Sequence, residues 1–206
     1  SLRMAFKITR RGSPPPAWAS TAVGTLNNIY SLAVGDGDND GVLELYACDK
    51  DNKNYMVWAY EWTGSSYSAS QVAAINQPYD VVVGDGDNDG KSELYVACDN
   101  GHMYQVKWNG TSWDSPVDMG AATNVLSFCA VGDGNNDGKM EVYASSYDDK
   151  LYEFKWNGAN WTVTSLGAPS PDPGDLEQVV VGDGNSDGQL EVYVGRDINP
   201  NGPVYQ

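Results

Sequence analysis

The sequence is poor in the residues on which most catalytic and redox sites depend. Its 206 residues include one histidine, three cysteines and only 12 lysines and arginines. The cysteines, Cys48, Cys98 and Cys129, are odd in number and form no Cys-x-x-Cys pair, which argues against a disulfide framework. No run of about 18 apolar residues is present, so the sequence predicts no transmembrane helix.

Positive charge is scarce as well. The 28 aspartates and glutamates outweigh the basic residues and give a net charge of −16. A nucleic-acid partner is disfavoured, because lysine and arginine are what neutralise phosphates. The excess of acid suits either cation binding or solubility. The chain is rich in glycine (23), tyrosine (13) and tryptophan (7), which favour short strands and tight turns over a helical bundle.

An acidic motif occurs four times along the chain. Each copy begins Val-Gly-Asp-Gly, continues to Asp-Gly, and is followed by Glu-Leu-Tyr or Glu-Val-Tyr. The first aspartates are Asp36, Asp85, Asp133 and Asp183, at spacings of 49, 48 and 50 residues. We call the nine-residue segments 36–44, 85–93, 133–141 and 183–191 loops 1 to 4. A repeat of this length predicts a modular architecture.

Each repeat predicts four strands. In the second repeat, an apolar strand A (81–83) precedes loop 2 and strand B (93–97) ends it. The alternating strand C (103–108) leads through an Asn-Gly turn to strand D, from Trp113 to about Met119. Four antiparallel strands in a unit of about 50 residues predict the blade of a β-propeller, an all-β fold.

The two ends of the chain resemble parts of one blade. Residues 18–24 resemble a strand D, and 4–8 a degenerate strand C, whereas the last repeat stops within its own strand C at 204–206. We expect a propeller of about four four-stranded blades over 17–206, preceded by a tail or degenerate strand over 1–16. Two interpretations stay open: the terminal strands pair in one shared blade, or a second copy completes the ring as a homo-oligomer.

The four loops carry the chemistry of a cation site. Oxygen ligands stand at positions 1, 3, 5 and 9, glycine at position 6 permits a sharp reversal, and position 7 can add its backbone carbonyl. Several hard oxygen donors suit Ca²⁺, which accepts about six to eight. The loops hold half of the 28 acidic residues, and carboxylates packed so closely repel one another unless a cation lies among them.

We therefore expect about four calcium ions, one per repeat. The predicted ligands are Asp36, Asp38, Asp40, Val42 and Glu44 in loop 1; Asp85, Asp87, Asp89, Lys91 and Glu93 in loop 2; Asp133, Asn135, Asp137, Lys139 and Glu141 in loop 3; and Asp183, Asn185, Asp187, Gln189 and Glu191 in loop 4. Asparagine at position 3 removes one charge, which predicts weaker binding in loops 3 and 4.

An EF-hand does not explain the loops. It would place glutamate at position 12 between two helices, whereas position 12 is apolar here and the glutamate stands at position 9. The motif, its position-9 acid and the repeat length resemble FG-GAP/VCBS-type repeats, the calcium-loop blades of integrin-α-like propellers. The resemblance covers about residues 17–206. It implies a calcium-braced propeller, secreted or at the cell surface, of the kind found in adhesins, lectins and polysaccharide-degrading enzymes.

The sequence favours binding over catalysis. Ser-His-Asp or Cys-His schemes would depend on His102, which is expected in a turn between strands B and C, and we predict no catalytic residue. We expect a non-catalytic binding or adhesion module for carbohydrate or protein, with its ligand-binding residues unassigned and no membrane insertion. The alternatives are the propeller of a carbohydrate-active enzyme, such as a polysaccharide lyase, and a structural spacer.

Overall fold

The computed structural model describes residues 3–11, 17–51, 54–169, 174–196 and 204–205. All the helices and strands assigned in these residues are β-strands, and none is a helix. The strands are β1 (Arg3–Arg11), β2 (Ala17–Leu26), β3 (Ile29–Gly35), β4 (Glu44–Asp51), β5 (Asn54–Trp62), β6 (Tyr67–Ala73), β7 (Pro78–Gly84), β8 (Glu93–Cys98), β9 (His102–Val106), β10 (Val117–Ala121), β11 (Leu126–Gly132), β12 (Glu141–Ser146), β13 (Leu151–Trp156), β14 (Trp161–Gly167), β15 (Leu176–Gly182), β16 (Glu191–Arg196) and β17 (Val204–Tyr205). The described residues include no helix with the length and hydrophobicity that crossing a bilayer requires.

The strands form antiparallel sheets in chain order, arranged as the blades of a β-propeller. Sheet 1 contains β3 to β6, sheet 2 contains β7 to β10, and sheet 3 contains β11 to β14. Sheet 4 contains β15 to β17, and β1 and β2 form a two-stranded N-terminal hairpin. Sheets 1 to 3 therefore confirm the predicted order of four strands per repeat, and the predicted all-β propeller class is confirmed.

Each loop connects the first two strands of its sheet. The glycine that ends strand A is paired with the position-9 glutamate that begins strand B: Gly35 with Glu44, Gly84 with Glu93, Gly132 with Glu141, and Gly182 with Glu191. This common register fixes the first and last residues of every loop at one end of a strand pair. The intervening side chains therefore gather above that end.

Neighbouring sheets pack through their first strands, since β3 contacts β7, β7 contacts β11, and β11 contacts β15. Glycine permits this close approach. A Cβ on Gly35 would lie 2.6 Å from the side chain of Val83, and one on Gly132 would lie 2.6 Å from Val181. A Cβ on Gly182, in the last sheet, would meet no atom within 4 Å. The glycine that ends strand A is thus tightly enclosed in sheets 1 and 3, where the next sheet packs against it, and open in sheet 4.

The hydrophobic core is divided among the sheet interfaces. One cluster joins Tyr46 and Val57 of sheet 1 to Val81 and Leu94 of sheet 2, and further clusters join sheets 2 and 3 and sheets 3 and 4. Burial of apolar area at about 25 cal/mol per Å² makes these interfaces the main source of stability. Leu26 of β2 packs with Tyr60 of sheet 1, which attaches the N-terminal hairpin to that sheet.

The ends of the chain belong to different sheets. β1 pairs with β2, and β17 pairs with β16, so the described terminal strands do not share a sheet. Segment 12–16, part of the predicted tail or degenerate strand, lies outside the described residues. Strand D of the second repeat differs from expectation: β10 begins at Val117 rather than Trp113, after Pro116, which has no N–H to donate to a ladder.

Candidate functional site

The four loops are folded by their own side chains. In loop 1 the carboxylate of Asp36 accepts hydrogen bonds from the backbone N–H groups of Asp40 and Gly41, both at 3.0 Å. The position-1 aspartates Asp85, Asp133 and Asp183 accept the equivalent pair in loops 2, 3 and 4. Gly41 has φ of +89°, and the other position-6 glycines lie between +86° and +89°. The predicted reversal at position 6 is therefore present in every loop.

The residues at positions 5 and 7 also contact each other. The backbone N–H of each position-7 residue donates to the position-5 aspartate, at distances between 2.7 and 3.0 Å. The donors are Val42, Lys91, Lys139 and Gln189, and the acceptors are Asp40, Asp89, Asp137 and Asp187. Positions 1, 5 and 7 are thus connected in the same way in all four repeats.

Each position-9 glutamate accepts a hydrogen bond from the tyrosine two residues further along the same strand. Tyr46 donates to Glu44 at 2.8 Å, Tyr95 to Glu93 at 2.7 Å, and the same bond recurs in repeats 3 and 4. Burial raises the pKa of Glu44, and it raises the pKa of Glu93 to about 7. Without a cation, ionisation of these carboxyls is costly.

Three of the loops bring their acids together. Ligand atoms of Asp85, Asp87, Asp89 and Glu93 lie within 4.8 Å of one another in loop 2. Asp36, Asp38 and Asp40 do so in loop 1, and Asp183, Asp187 and Glu191 in loop 4. Loop 3, whose residues are all described, forms no such group. Its Asn135 donates to Glu141 at 3.1 Å, as Asn185 does to Glu191 in loop 4.

Two lysines, which the sequence analysis missed, reach into the loops. Lys107 lies 2.5 Å from Asp87, 2.7 Å from Asp89 and 3.6 Å from Glu93. Lys155 lies 2.5 Å from Asp137 and 2.8 Å from Glu141. Partial burial alone would raise the pKa of Asp89, but the hydrogen bond from Lys107 lowers that pKa below its ordinary value. The ammonium groups therefore act as tethered counter-ions in loops 2 and 3.

The signal for these lysines is present in the sequence. Both precede the tryptophan that ends strand C, in Gln-Val-Lys-Trp108 and Glu-Phe-Lys-Trp156. In the first repeat the same place is taken by Glu61, in Ala-Tyr-Glu-Trp62. The register confirms the alignment, because Ala59 pairs with Tyr46 as Gln105 pairs with Tyr95. Loop 1 has an additional acid where its neighbours have a base.

Position 4 of the loops links successive repeats, a role that sequence reasoning also missed. Asn39 donates to the carbonyl of Ser92 at 2.9 Å and accepts from its N–H at 2.8 Å. Asn88 makes the same pair of bonds with Met140, and Asn136 with Leu190. Loops 1, 2 and 3 are thus each hydrogen-bonded to the backbone at position 8 of the following loop, a contact that we call the clasp. In the sequence this contact corresponds to asparagine at position 4 of loops 1 to 3, whereas loop 4 has Ser186 at that position.

Two carboxylate oxygens of the loops are distinguished by their burial. Oε1 of Glu44 and Oδ1 of Asp87 are buried and have no hydrogen-bond partner. Glu44 is only 4% exposed, and Asp87 is 7% exposed. A buried charged oxygen without a partner is expensive. The ligand atoms that the loop side chains offer are oxygens, which fit a hard divalent ion such as Ca²⁺. The other oxygen of Asp87 already contacts the Lys107 ammonium and the Gln105 amide.

The residues considered for nucleophilic chemistry are engaged elsewhere. His102 begins β9 instead of lying in a turn, and its Nδ1 lies 2.9 Å from Asp118. Cys48, Cys98 and Cys129 are free and buried, and burial raises their pKa values. These thiols therefore favour the protonated, unreactive form.

The repeats match a known family. The sequence model described as FG-GAP-like repeat matches residues 36–96, 85–144 and 133–194. The chain belongs to the FG-GAP-like repeat family. Each match begins at the position-1 aspartate of one loop and ends just after the next loop. The acidic loops are therefore part of what defines the FG-GAP-like repeat in this chain.

A solved lectin shares the fold. A mutant of Aleuria aurantia lectin, in complex with alpha-methyl-L-fucoside, superposes with a TM-score of 0.56 at 13% identity. The alignment covers 91% of this chain and 63% of the lectin chain, so the FG-GAP-like repeats span less than two thirds of its length. No curated protein matches the sequence. At this identity the likeness establishes the β-propeller fold alone.

Proposed function

We propose that this chain is a calcium-braced, non-catalytic binding module that recognises carbohydrate or protein. The observation that supports the proposal is the repeated acidic loop, which brings the acids of positions 1, 3, 5 and 9 together in loop 2 and three acids together in loops 1 and 4. Calcium supplies positive charge at that point and no reaction chemistry. The ligands in loop 1 are the carboxylates of Asp36, Asp38, Asp40 and Glu44 with the carbonyl of Val42, and loops 2 to 4 follow the same pattern.

The role proposed for calcium is structural. Loops 1 to 3 also clasp the following loop, so an ordered loop holds two sheets in register. An ion that binds only the folded loop stabilises it by RT ln(1 + [Ca²⁺]/Kd), which is about 2.7 kcal/mol at a hundredfold excess over Kd. Calcium removal would therefore loosen the contacts between sheets.

The proposed ion sites differ in strength. Loop 1 has four acids, an orphan buried oxygen and no lysine among its described partners, so it is the strongest candidate. Loop 2 has four acids but includes Lys107. Loop 3 has an asparagine at position 3 and includes Lys155. We therefore expect calcium affinity to fall from loop 1 to loop 2 to loop 3.

The binding role has independent support. The propeller of Aleuria aurantia lectin was solved with a fucoside, which shows that this architecture can present a sugar site. The net charge of −16 opposes a nucleic-acid partner. A propeller that depends on calcium fits a secreted or cell-surface location, where the ion is plentiful. Completion of the ring by a second copy belongs to the same proposal.

Calcium titration and a glycan array test the proposal together. Native protein should contain calcium by elemental analysis, and EDTA should lower its melting temperature reversibly. On the array, the calcium-loaded protein should retain specific glycans without cleaving them. Native protein with no calcium and an unchanged melting temperature in EDTA would refute the metal role. Release of unsaturated oligosaccharides from pectin would instead favour the polysaccharide lyase.

A further inference from the structure

A cleft opens between sheets 1 and 2 beside loop 1. It has a volume of about 390 Å³, within the range of small-molecule sites. It is lined by Asp38, Glu44, Tyr46, Ala59, Glu61, Ser70, Gln71, Val72, Trp108, Ser112 and Trp113. One wall therefore comes from loop 1 and sheet 1, and the other from the tryptophan hairpin of the second repeat.

The next repeat shows what opens this cleft. There Gln105 donates to Asp87 at 2.7 Å and accepts from Trp161 at 3.3 Å, while Lys107 bonds to Asp87 and Asp89. In the first repeat the equivalents are Ala59 and Glu61. A methyl group replaces the amide, and a carboxylate replaces the ammonium. The two side chains that fill the acidic corner of repeat 2 are thus absent from repeat 1.

The cleft has an unbalanced negative charge. Asp38, Glu44 and Glu61 line it, and none of the lining residues, all of which the structure describes, is basic. Glu44, which also lines the cleft, is only 4% exposed and has a buried oxygen, Oε1, without a hydrogen-bond partner. In loop 3 the equivalent oxygen, Oε1 of Glu141, lies 2.8 Å from the ammonium nitrogen of Lys155. The repeat itself shows that a primary ammonium group fits the position.

The opposite wall is aromatic and fixed. Trp113 packs edge-on against Tyr46 with ring centroids 6.0 Å apart, and against Trp108 at 5.3 Å. Such rings offer apolar faces and attract cations. Ser70, Gln71 and Ser112 add hydroxyl and amide groups around them. A ligand with one ammonium group, an apolar ring face and several hydroxyls would satisfy all three parts of the cleft.

We propose that the cleft between sheets 1 and 2 binds an amino sugar, with its protonated amine between Glu61 and Glu44 and its ring against Trp113. This rests on the proposed function only for the premise that the chain is a binding module. Calcium in loop 1 would engage Asp36, Asp38, Asp40 and Glu44. Calcium and the amine would both use the unpartnered oxygen of Glu44, so they should compete for it, whereas Glu61 lies outside the loop and serves the amine alone.

The second large cleft provides a contrast within the same molecule. It has a volume of about 490 Å³ and is lined by Asp87 and Asp89, but also by Lys139 and Lys155. Its bases offset its acids. The second cleft should therefore not select a cationic sugar, and any amine binding should be assignable to the first.

Calorimetric titration of the whole chain tests this proposal. Glucosamine, at about pH 6.5 where its amine is protonated, should bind in EDTA, and added calcium should weaken that binding. N-acetylglucosamine should bind at least about tenfold more weakly than glucosamine. Glu61→Lys should abolish binding by restoring the internal ammonium, and Glu61→Gln should weaken it. Asp175→Lys, the same charge change at an exposed residue outside the cleft, should leave it intact.

Each alternative result is decisive. If glucosamine fails to bind, or binds Glu61→Lys as well as it binds the unaltered chain, the cleft proposal is wrong. If N-α-acetyl-lysine amide binds as tightly as glucosamine, the cleft takes ammonium groups in general and the assignment to amino sugars fails. Calcium uptake measured on the same samples reports the proposed function separately, because loops 2 and 4 do not contact Glu61.

Discussion

The first repeat and the second are built to the same plan but balance their charge differently. Both have Asp, Asp, Asp and Glu at positions 1, 3, 5 and 9, and both hold the glutamate with a buried tyrosine. In repeat 2 the Lys107 ammonium lies among the acids, whereas repeat 1 has Glu61 at that place. One site carries its own cation, and we predict that the other takes one from solution.

This difference shows how a repeat protein can divide its tasks. Where lysine occupies the loop, the adjacent corner is filled, and we predict that the fold depends less on metal. Where glutamate replaces the lysine, a cleft opens next to the loop, and we predict a greater dependence on an external cation. A change of charge at a single strand-C position would therefore alter both metal dependence and the space available for a ligand.

Removal of the internal cation should have the largest effect. Lys107→Met leaves Asp87, Asp89 and Glu93 without their counter-ion. In EDTA we expect the free energy of unfolding to fall by about 2–3 kcal/mol, somewhat less than for a fully buried pair. Saturating calcium should restore most of the loss. Urea unfolding with and without calcium measures both, with Lys139→Met, at an exposed lysine outside loop 2, as the control. Equal losses in the two variants would contradict the counter-ion role.

The pH dependence of the metal-free protein should reveal the buried glutamate. Burial raises the pKa of Glu93 to about 7 in the folded chain, so the folded state holds a proton that the unfolded state releases. This contribution to stability is complete at pH values below about 4.5 and is lost as the pH rises through about 7. In EDTA the melting temperature should therefore fall over that interval, and less so in Glu93→Gln. An identical slope in both proteins would refute the assignment.

The sequence predicts the repeat-level fold well because period-two strands and turn residues recur at fixed spacing. Strands A to C, the loop reversal at Gly41 and its equivalents, and the family all follow from local pattern. The start of β10 does not, because Pro116 interrupts a ladder whose far end is formed only by the isolated pair of Trp108 and Trp113. The shared terminal blade depends on the geometry of a whole ring, which no local pattern encodes.

The chemistry of the loops can be predicted from the sequence only in part. The nine-residue spacing predicts which oxygens gather, and calcium itself stays a prediction. The lysines lie about 18 residues from the aspartates that they contact, on a strand brought alongside only by sheet pairing. The asparagine clasp spans more than 50 residues. Such contacts become visible only when equivalent positions of all repeats are compared with the sheet register in hand.

A charge added to the weakest loop should bring it closer to the others. Asn135→Asp supplies loop 3 with the position-3 carboxylate that loops 1 and 2 possess. We expect its calcium affinity to rise about tenfold, because charge count tunes oxygen sites. Calcium calorimetry can resolve the change, and Asn157→Asp, outside the loop, provides the same charge change as a control. Equal effects would mean that net charge alone attracts the ion.

The clasp between loops should give the smallest effect and can be tested with a matched pair of glycine substitutions. Asn88 and Ser186 both stand at position 4 with φ of +61° and +63°, a region that glycine adopts freely. Asn88→Gly removes two bonds to Met140, so we expect a net loss of about 0.5–1.5 kcal/mol. Within the described part of the structure the Ser186 side chain makes no hydrogen bond to another loop, so Ser186→Gly should leave stability unchanged or slightly raised. Thermal unfolding of both variants in calcium measures the difference, and equal melting temperatures would show that position 4 serves the turn alone.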